Sequence, residues 1–106
     1  MDKSEEFYRK SLSLNNNNPS RLNALAWFLI ENNRDIDEGM ELIQKALEKD
    51  PENYYFIDTR GWGLYKQGKY IEALELLEKG WSLKTFYDHD IFLHLQEVRK
   101  TVSNQK

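Results

Sequence analysis

Two segments of this 106-residue chain resemble each other at a spacing of 34 residues, and this feature constrains the fold most. Segment 34–50 aligns with segment 68–84, so that small residues match small ones and large apolar residues match large ones. The preceding segments, 22–33 and 57–68, align at an offset of 35. Two aligned blocks in the same order, with one single-residue insertion between them, indicate an array of structural repeats.

Both blocks have the apolar spacing of α-helices. In the later helix of each pair, apolar residues occur at i, i+4, i+7 and i+11, which places them on one helical face. No segment shows the alternation that would predict a strand. The sequence therefore predicts an all-α fold of about six helices, near residues 3–14, 19–32, 36–49, 54–67, 70–84 and 89–103.

Residues that begin and end helices stand at the predicted boundaries. Asp35 followed by Glu38 is a capping-box pattern, and Asn18 precedes a proline at a predicted first helical position. Gly68 is suited to end a helix in the left-handed conformation, and Asp88 is suited to cap the last helix. These residues support the helix boundaries independently of the apolar spacing.

The segment GWGLYKQGKYIEALELLEKG resembles the consensus of the tetratricopeptide repeat family. That repeat is a helix-turn-helix of about 34 residues. The resemblance implies antiparallel helix pairs stacked into a short right-handed α-solenoid, in a single domain over residues 1–106. It divides the chain into a half repeat over 3–16, whole repeats over 19–51 and 54–84, and a C-terminal capping helix over 89–103.

Two glycines interrupt the predicted helix 54–67, where each costs roughly 0.5–1 kcal/mol relative to alanine. We expect Gly61 at the closest approach between the two helices of its own repeat. For Gly63 two interpretations stay open: a close approach to a neighbouring helix, or a tolerated position where alanine would be neutral or stabilising. Arg60 stands where the family usually has a leucine, and we expect its charged end to reach solvent.

In tetratricopeptide proteins the first helices of the repeats line the concave side of the superhelix. The resemblance implies that a stripe on each first helix forms the floor of a groove, and aromatic residues in such a floor would suit protein binding. The two matched tryptophans are equally consistent with core packing. The candidate groove residues are Asn23, Trp27 and Ile30 in one repeat, and Tyr55, Asp58, Trp62 and Tyr65 in the next.

The predicted function is a scaffold for protein–protein interaction, without catalysis, whose partner is a protein or peptide. One alternative is the chaperone-cofactor type of the family, which grips a C-terminal carboxylate, although the expected lysine and second asparagine are missing here. Another is a regulatory domain excised from a larger, envelope-associated protein. We also expect a weak homodimer through the unpaired N-terminal helix, with its apolar edge at Phe7, Tyr8 and Leu12.

Other function classes find little support in the sequence. Asp90 and His94 have the i, i+4 spacing of metal ligands, but two such residues are too few for a site, so we predict no metal, cofactor or catalytic residue. The net charge of −3 and the scattered basic residues argue against nucleic-acid binding. No apolar run approaches the roughly 20 residues of a membrane span. If the chain is full length, we expect it in the cytoplasm. If it is a fragment of a longer protein, its sequence predicts no compartment.

Overall fold

The computed structural model describes residues 3–84 and 88–105, so residues 1–2, 85–87 and 106 of the predicted domain lie outside the described residues. The described residues form helices and no strand. The predicted all-α class is confirmed, and the predicted helix boundaries agree with the structure to within one residue. The helices are α1 (Lys3–Leu14), α2 (Pro19–Glu31), α3 (Ile36–Lys49), α4 (Tyr54–Lys66), α5 (Tyr70–Leu83) and α6 (His89–Asn104).

Side-chain caps begin most of these helices. Asn18, Asp35 and Asp88 each accept the backbone N–H of the residue three positions later, at N···O distances of 3.0, 3.0 and 3.2 Å. Each cap satisfies one of the N–H groups that have no partner within the helix. The capping box at Asp35 is completed on one side only, because the Glu38 carboxylate binds the Arg9 guanidinium of α1 at 2.8 and 2.9 Å instead.

The two whole repeats use the same turn between their helices. Asn33 has φ 53° and Gly68 has φ 83°, and both follow the first helix of a repeat. In each turn the next N–H bonds a carbonyl five residues earlier, at 2.9 Å, as in a Schellman motif. The prediction for Gly68 is therefore confirmed, and asparagine fills the matching position because it tolerates the left-handed conformation better than most residues.

The core is built from helix pairs that pack on their neighbours along the chain. Within each whole repeat α2 packs on α3 and α4 on α5, and contacts of α4 with α2 and α3 join the repeats. At the C-terminal end, α6 covers the apolar face of α5. The buried cluster there consists of Leu64, Ala73, Leu77, Leu95, Val98 and Val102.

The N-terminal helix uses most of its apolar edge within the chain. Tyr8 and Leu12 pack against the core cluster of α2 and α3, whereas Phe7 is 68% exposed. Of the three residues predicted to form a dimer edge, Phe7 alone therefore presents most of its side chain. Glu5, on the same helix, is buried and forms an ion pair with Arg34 at 3.2 Å.

The two glycines of α4 allow close approaches on different sides of the helix. A Cβ atom at Gly61 would lie 2.6 Å from Leu77 Cδ2, which confirms the expected contact with α5. A Cβ atom at Gly63 would collide with the Met40 sulfur and lie 3.2 Å from Ile30 Cδ1. Gly63 thus faces the preceding repeat, so it is not merely a tolerated residue pointing away from a packing contact.

Substitutions at these glycines should differ in cost. Gly61→Leu should lower the free energy of unfolding by about 1–3 kcal/mol, because the branched Leu77 must move away from the new side chain. Gly63→Ala should cost less, because the flexible Met40 side chain can adjust and alanine gains about 1 kcal/mol of helix propensity. Urea unfolding of both variants measures the difference, and equal losses would contradict this account of the two faces.

Arg60 behaves as expected for a charged residue at a leucine position. It is half-buried, and its guanidinium donates a hydrogen bond to the Gln44 side chain on α3 near the surface. The aliphatic part of the side chain can therefore pack while the charged end stays near water. None of the helices within residues 3–84 and 88–105 is long and apolar enough to cross a membrane.

Candidate partner-binding groove

Four of the seven candidate groove residues line one cavity of about 250 Å³. It lies where α2, α4 and the N-terminal half of α6 meet, and we call it the α2–α4–α6 pocket. The predicted stripes on the two first helices therefore do come together, but α6 supplies much of the wall. The pocket is lined by Asn23, Trp27, Tyr55, Asp58, Thr59, Asp88, Asp90, Ile91 and His94.

The last helix takes the position of the first helix of a further repeat. Three pairs of residues on neighbouring first helices form hydrogen bonds at a separation of 36 positions. The contact of α6 with α4 thus repeats the contact of α4 with α2. The bonded atoms are Thr59 Oγ1 and Asn23 Oδ1 at 2.6 Å, His94 Nδ1 and Asp58 Oδ2 at 2.9 Å, and Tyr65 OH and Thr101 Oγ1 at 3.1 Å.

His94 also lines the pocket, although the sequence analysis considered it only as a metal ligand and rejected that role. Its Nδ1–H group donates to both oxygens of Asp58, at 2.9 and 3.1 Å. Its ring lies between two indoles, with centroid distances of 5.2 Å to Trp27 and 4.6 Å to Trp62. The i, i+4 spacing from Asp90 is typical of metal ligands, but the partner of His94 is Asp58, which lies 36 positions earlier on the neighbouring first helix. No spacing within α6 indicates this partner.

Residues 3–84 and 88–105 contain no group of three or more acidic or histidine side chains that could hold a metal ion. Asp58 and His94 form a contact between two titratable groups. Burial raises the pKa of Asp58, and the hydrogen bond from His94 opposes this only in part. Burial alone would lower the pKa of His94, but the hydrogen bond to Asp58 and the charges of Asp58, Glu31 and Asp90 outweigh burial, so that the pKa is raised.

Stability should therefore fall as the pH rises through the titration of His94. A His pKa raised above its unfolded value of 6.5 contributes stability that is fully present below pH 6.5 and is lost as the pH passes the folded pKa. The raised pKa of Asp58 acts in the same direction at lower pH. Urea unfolding from about pH 6 to about pH 9 measures this slope. Asp58→Asn should remove it, because the carboxylate that raises the pKa of His94 is lost, and an unchanged slope in that variant would contradict the assignment.

The remaining candidate residues lie outside the pocket. Ile30 is 0% exposed and packs against Gly39 and Gly63, so its prediction as a groove residue is wrong. Trp62 packs with the core cluster beneath α6, and its buried Nε1–H has no hydrogen-bond partner in the described part of the chain. Tyr65 is half-buried, and its hydroxyl bonds to α6.

The sequence was consistent with a groove position or a core position for both tryptophans, and the two residues differ in the structure. Trp27 is partly exposed and lines the pocket, whereas Trp62 serves mainly as a packing residue between α4 and α6. Tyr55 is 46% exposed at the same opening as Trp27. Within the pocket, the aromatic surface available to another molecule is therefore provided by Trp27 and Tyr55.

No protein-family model matches the sequence. The TPR repeat-containing protein PA4667 of Pseudomonas aeruginosa (strain PAO1) is 35% identical over 80 residues, which cover 76% of this chain and 13% of that protein. The chain therefore spans only a small part of this relative. The crystal structure of the Sgt2 TPR domain from Aspergillus fumigatus aligns with a TM-score of 0.79, over 96% of this chain and 69% of that chain, at 19% identity.

The similarity to the solved domain concerns the fold, and the similarity to PA4667 concerns the sequence of the repeats. Both agree with the helix-turn-helix repeats that the sequence predicts and the structure contains. The chain has the fold of tetratricopeptide repeat proteins and resembles them in sequence.

Proposed function

We propose that this chain is a protein–protein interaction scaffold that binds a segment of a partner protein at the α2–α4–α6 pocket. The observation that carries the proposal is the partly exposed aromatic pair, Trp27 and Tyr55, at the opening of a cavity on the first helices. Aromatic residues are enriched among those that contribute most to binding at protein interfaces. A rigid scaffold holds both rings in place before a partner arrives, which lowers the entropic cost of binding.

Asn23 can orient the bound segment. Its Oδ1 atom accepts a hydrogen bond from Thr59, while its Nδ2 group has no acceptor among the described residues. An amide N–H group at the rim can donate to a backbone carbonyl of an extended peptide. Asn23 therefore supports a contact to the peptide backbone, and the aromatic rings support contacts to a side chain.

The size of the pocket favours one anchoring side chain over a whole small-molecule ligand. Its volume of about 250 Å³ is below the roughly 300–1,000 Å³ typical of small-molecule sites. A single long side chain can fill it while the flanking residues lie across the rim. This size supports a peptide anchor and gives no support to a cofactor site.

The charge of the pocket disfavours the chaperone-cofactor alternative. Three aspartates line it, and its described lining contains no lysine or arginine. A C-terminal carboxylate would meet like charges there, and like charges placed together weaken binding by several kcal/mol. An internal segment of a partner, or one that carries positive charge, fits this surface better.

Tyr55→Ala should weaken the binding of groove ligands by about 2 kcal/mol if Tyr55 anchors the segment. Short random peptides selected on the immobilised chain supply the ligands, and calorimetry measures their affinity for each variant. Ile71→Ala is the matched control, because Ile71 is also an exposed apolar residue but lies on α5. Asp58 is not substituted in this test, because His94 would lose its hydrogen-bond partner. Selected peptides that bind Tyr55→Ala as tightly as the wild-type chain would reject this site.

A further inference from the structure

The α2–α4–α6 pocket carries a negative charge that its own residues do not neutralise. Asp58, Asp88 and Asp90 line it, and His94 is the only described lining residue that can be positive. With His94 protonated, three negative charges and one positive charge give a net charge of −2. The N-terminal end of α6 adds roughly +0.5 of charge, which offsets only part of this.

The buried carboxylate of Asp58 has fewer hydrogen-bond donors than it can accept. Its side chain is 9% exposed, and both of its oxygens share the single Nδ1–H group of His94. A carboxylate has about four acceptor positions, and no other described residue donates to this one. Leaving buried acceptors without donors costs free energy, so a donor that enters the pocket can form additional hydrogen bonds with the Asp58 carboxylate.

The aromatic walls of the pocket suit the same kind of donor. The rings of Trp27 and Tyr55 line the cavity beside the carboxylates. Aromatic faces attract ammonium and guanidinium groups as well as apolar groups. An apolar side chain would cover the aspartates without pairing them, and this desolvation would oppose its binding. A long cationic side chain can contact the rings with its aliphatic part and pair with the carboxylates through its charged end.

We propose that the α2–α4–α6 pocket takes the side chain of a lysine or arginine from the partner segment. This inference rests on the proposed function, because it names the chemistry of the anchor at the same site. The partner is thus a basic protein segment, with the cationic group directed at Asp58 and held between Asp88, Asp90 and the two aromatic rings.

The test uses short random peptides that are N-acetylated and C-amidated, so that only side chains carry charge. Peptides selected on the immobilised wild-type chain should contain a lysine or arginine. Replacing that residue with norleucine or citrulline, which are similar in size but uncharged, should weaken binding at least about tenfold by calorimetry. The affinity of the parent peptide should also fall as salt is added, because the pocket charges on the rim are screened.

Variants of the protein test the same contact from the other side. The double variant Asp88→Asn/Asp90→Asn should bind the peptide with lysine or arginine roughly fivefold more weakly than the wild-type chain does. Its affinity for the peptide with norleucine or citrulline should hardly change. Asparagine keeps the helix cap at position 88, so α6 should remain folded. Asp37→Asn/Glu41→Gln is the control, because it also removes two negative charges, from exposed positions on α3.

The outcomes separate the two proposals. If Tyr55→Ala weakens peptide binding, but neither norleucine in the peptide nor Asp88→Asn/Asp90→Asn in the protein does, the cationic anchor is wrong and the groove proposal stands. Peptides that are insensitive to Tyr55→Ala would reject the groove itself. A pool that yields no binding peptide, or only peptides without lysine and arginine, would also overturn the inference.

Discussion

Leu95→Ala should lower the free energy of unfolding by about 2–5 kcal/mol, because it deletes a fully buried side chain at the contact between α5 and α6. Leu95 is 0% exposed and belongs to the cluster that includes Leu77 and Val98. The cost combines the lost burial of the removed atoms with the cavity that remains. It should lie toward the upper part of the range if the surrounding helices cannot collapse into the space.

The same helix offers a matched control for this prediction. Leu93 is 50% exposed, and Leu93→Ala should change the free energy of unfolding by less than about 0.5 kcal/mol. Urea unfolding followed by circular dichroism gives both values. Comparable losses in the two variants would mean that α6 does not pack on α5 through the face that carries Leu95.

His94→Ala should cost on the order of 3 kcal/mol, because it leaves the Asp58 carboxylate buried without its only described partner. The same substitution also removes the ring between Trp27 and Trp62. Protonation of Asp58 limits the loss, since burial already raises the pKa of that carboxyl. The cost should therefore be largest at neutral pH and smaller in acid.

A double-mutant cycle distinguishes the ion pair from simple packing. Asp58→Ala and His94→Ala should each destabilise the chain, and the double variant should cost less than the sum of the two, because it leaves no buried charge unpaired. Calorimetric or urea unfolding at about pH 7 provides the four free energies. Strict additivity would show that the two side chains contribute independently and that their contact is not an effective ion pair.

Local features of the sequence predict most of this fold. The helix boundaries follow from caps such as Asn18 and Asp35 and from apolar spacing, both of which act within a few residues. The contact between Gly61 and α5 also lies within one repeat, where the turn fixes how the helices meet. These parts could be predicted because the interactions that determine them span short stretches of chain.

The composition of the pocket was harder to predict because it depends on contacts between repeats. Ile30 is three residues after Trp27, and a helix turns 100° per residue, so it points about 60° away from Trp27. That rotation is enough to bury Ile30 against Gly63 of the next repeat. The pairing of Asp58 with His94 likewise depends on how α6 lies beside α4, which helical spacing within either segment does not determine.

The packing of each helix on its near neighbours has a consequence for how the chain folds. Residues that meet within a helix pair, such as Gly61 and Leu77, are 16 residues apart. Closing short loops of this kind costs little chain entropy, and proteins with such local contacts fold rapidly. A hairpin of α2 and α3, or of α4 and α5, can therefore form first, and the remaining helices can add to it one at a time.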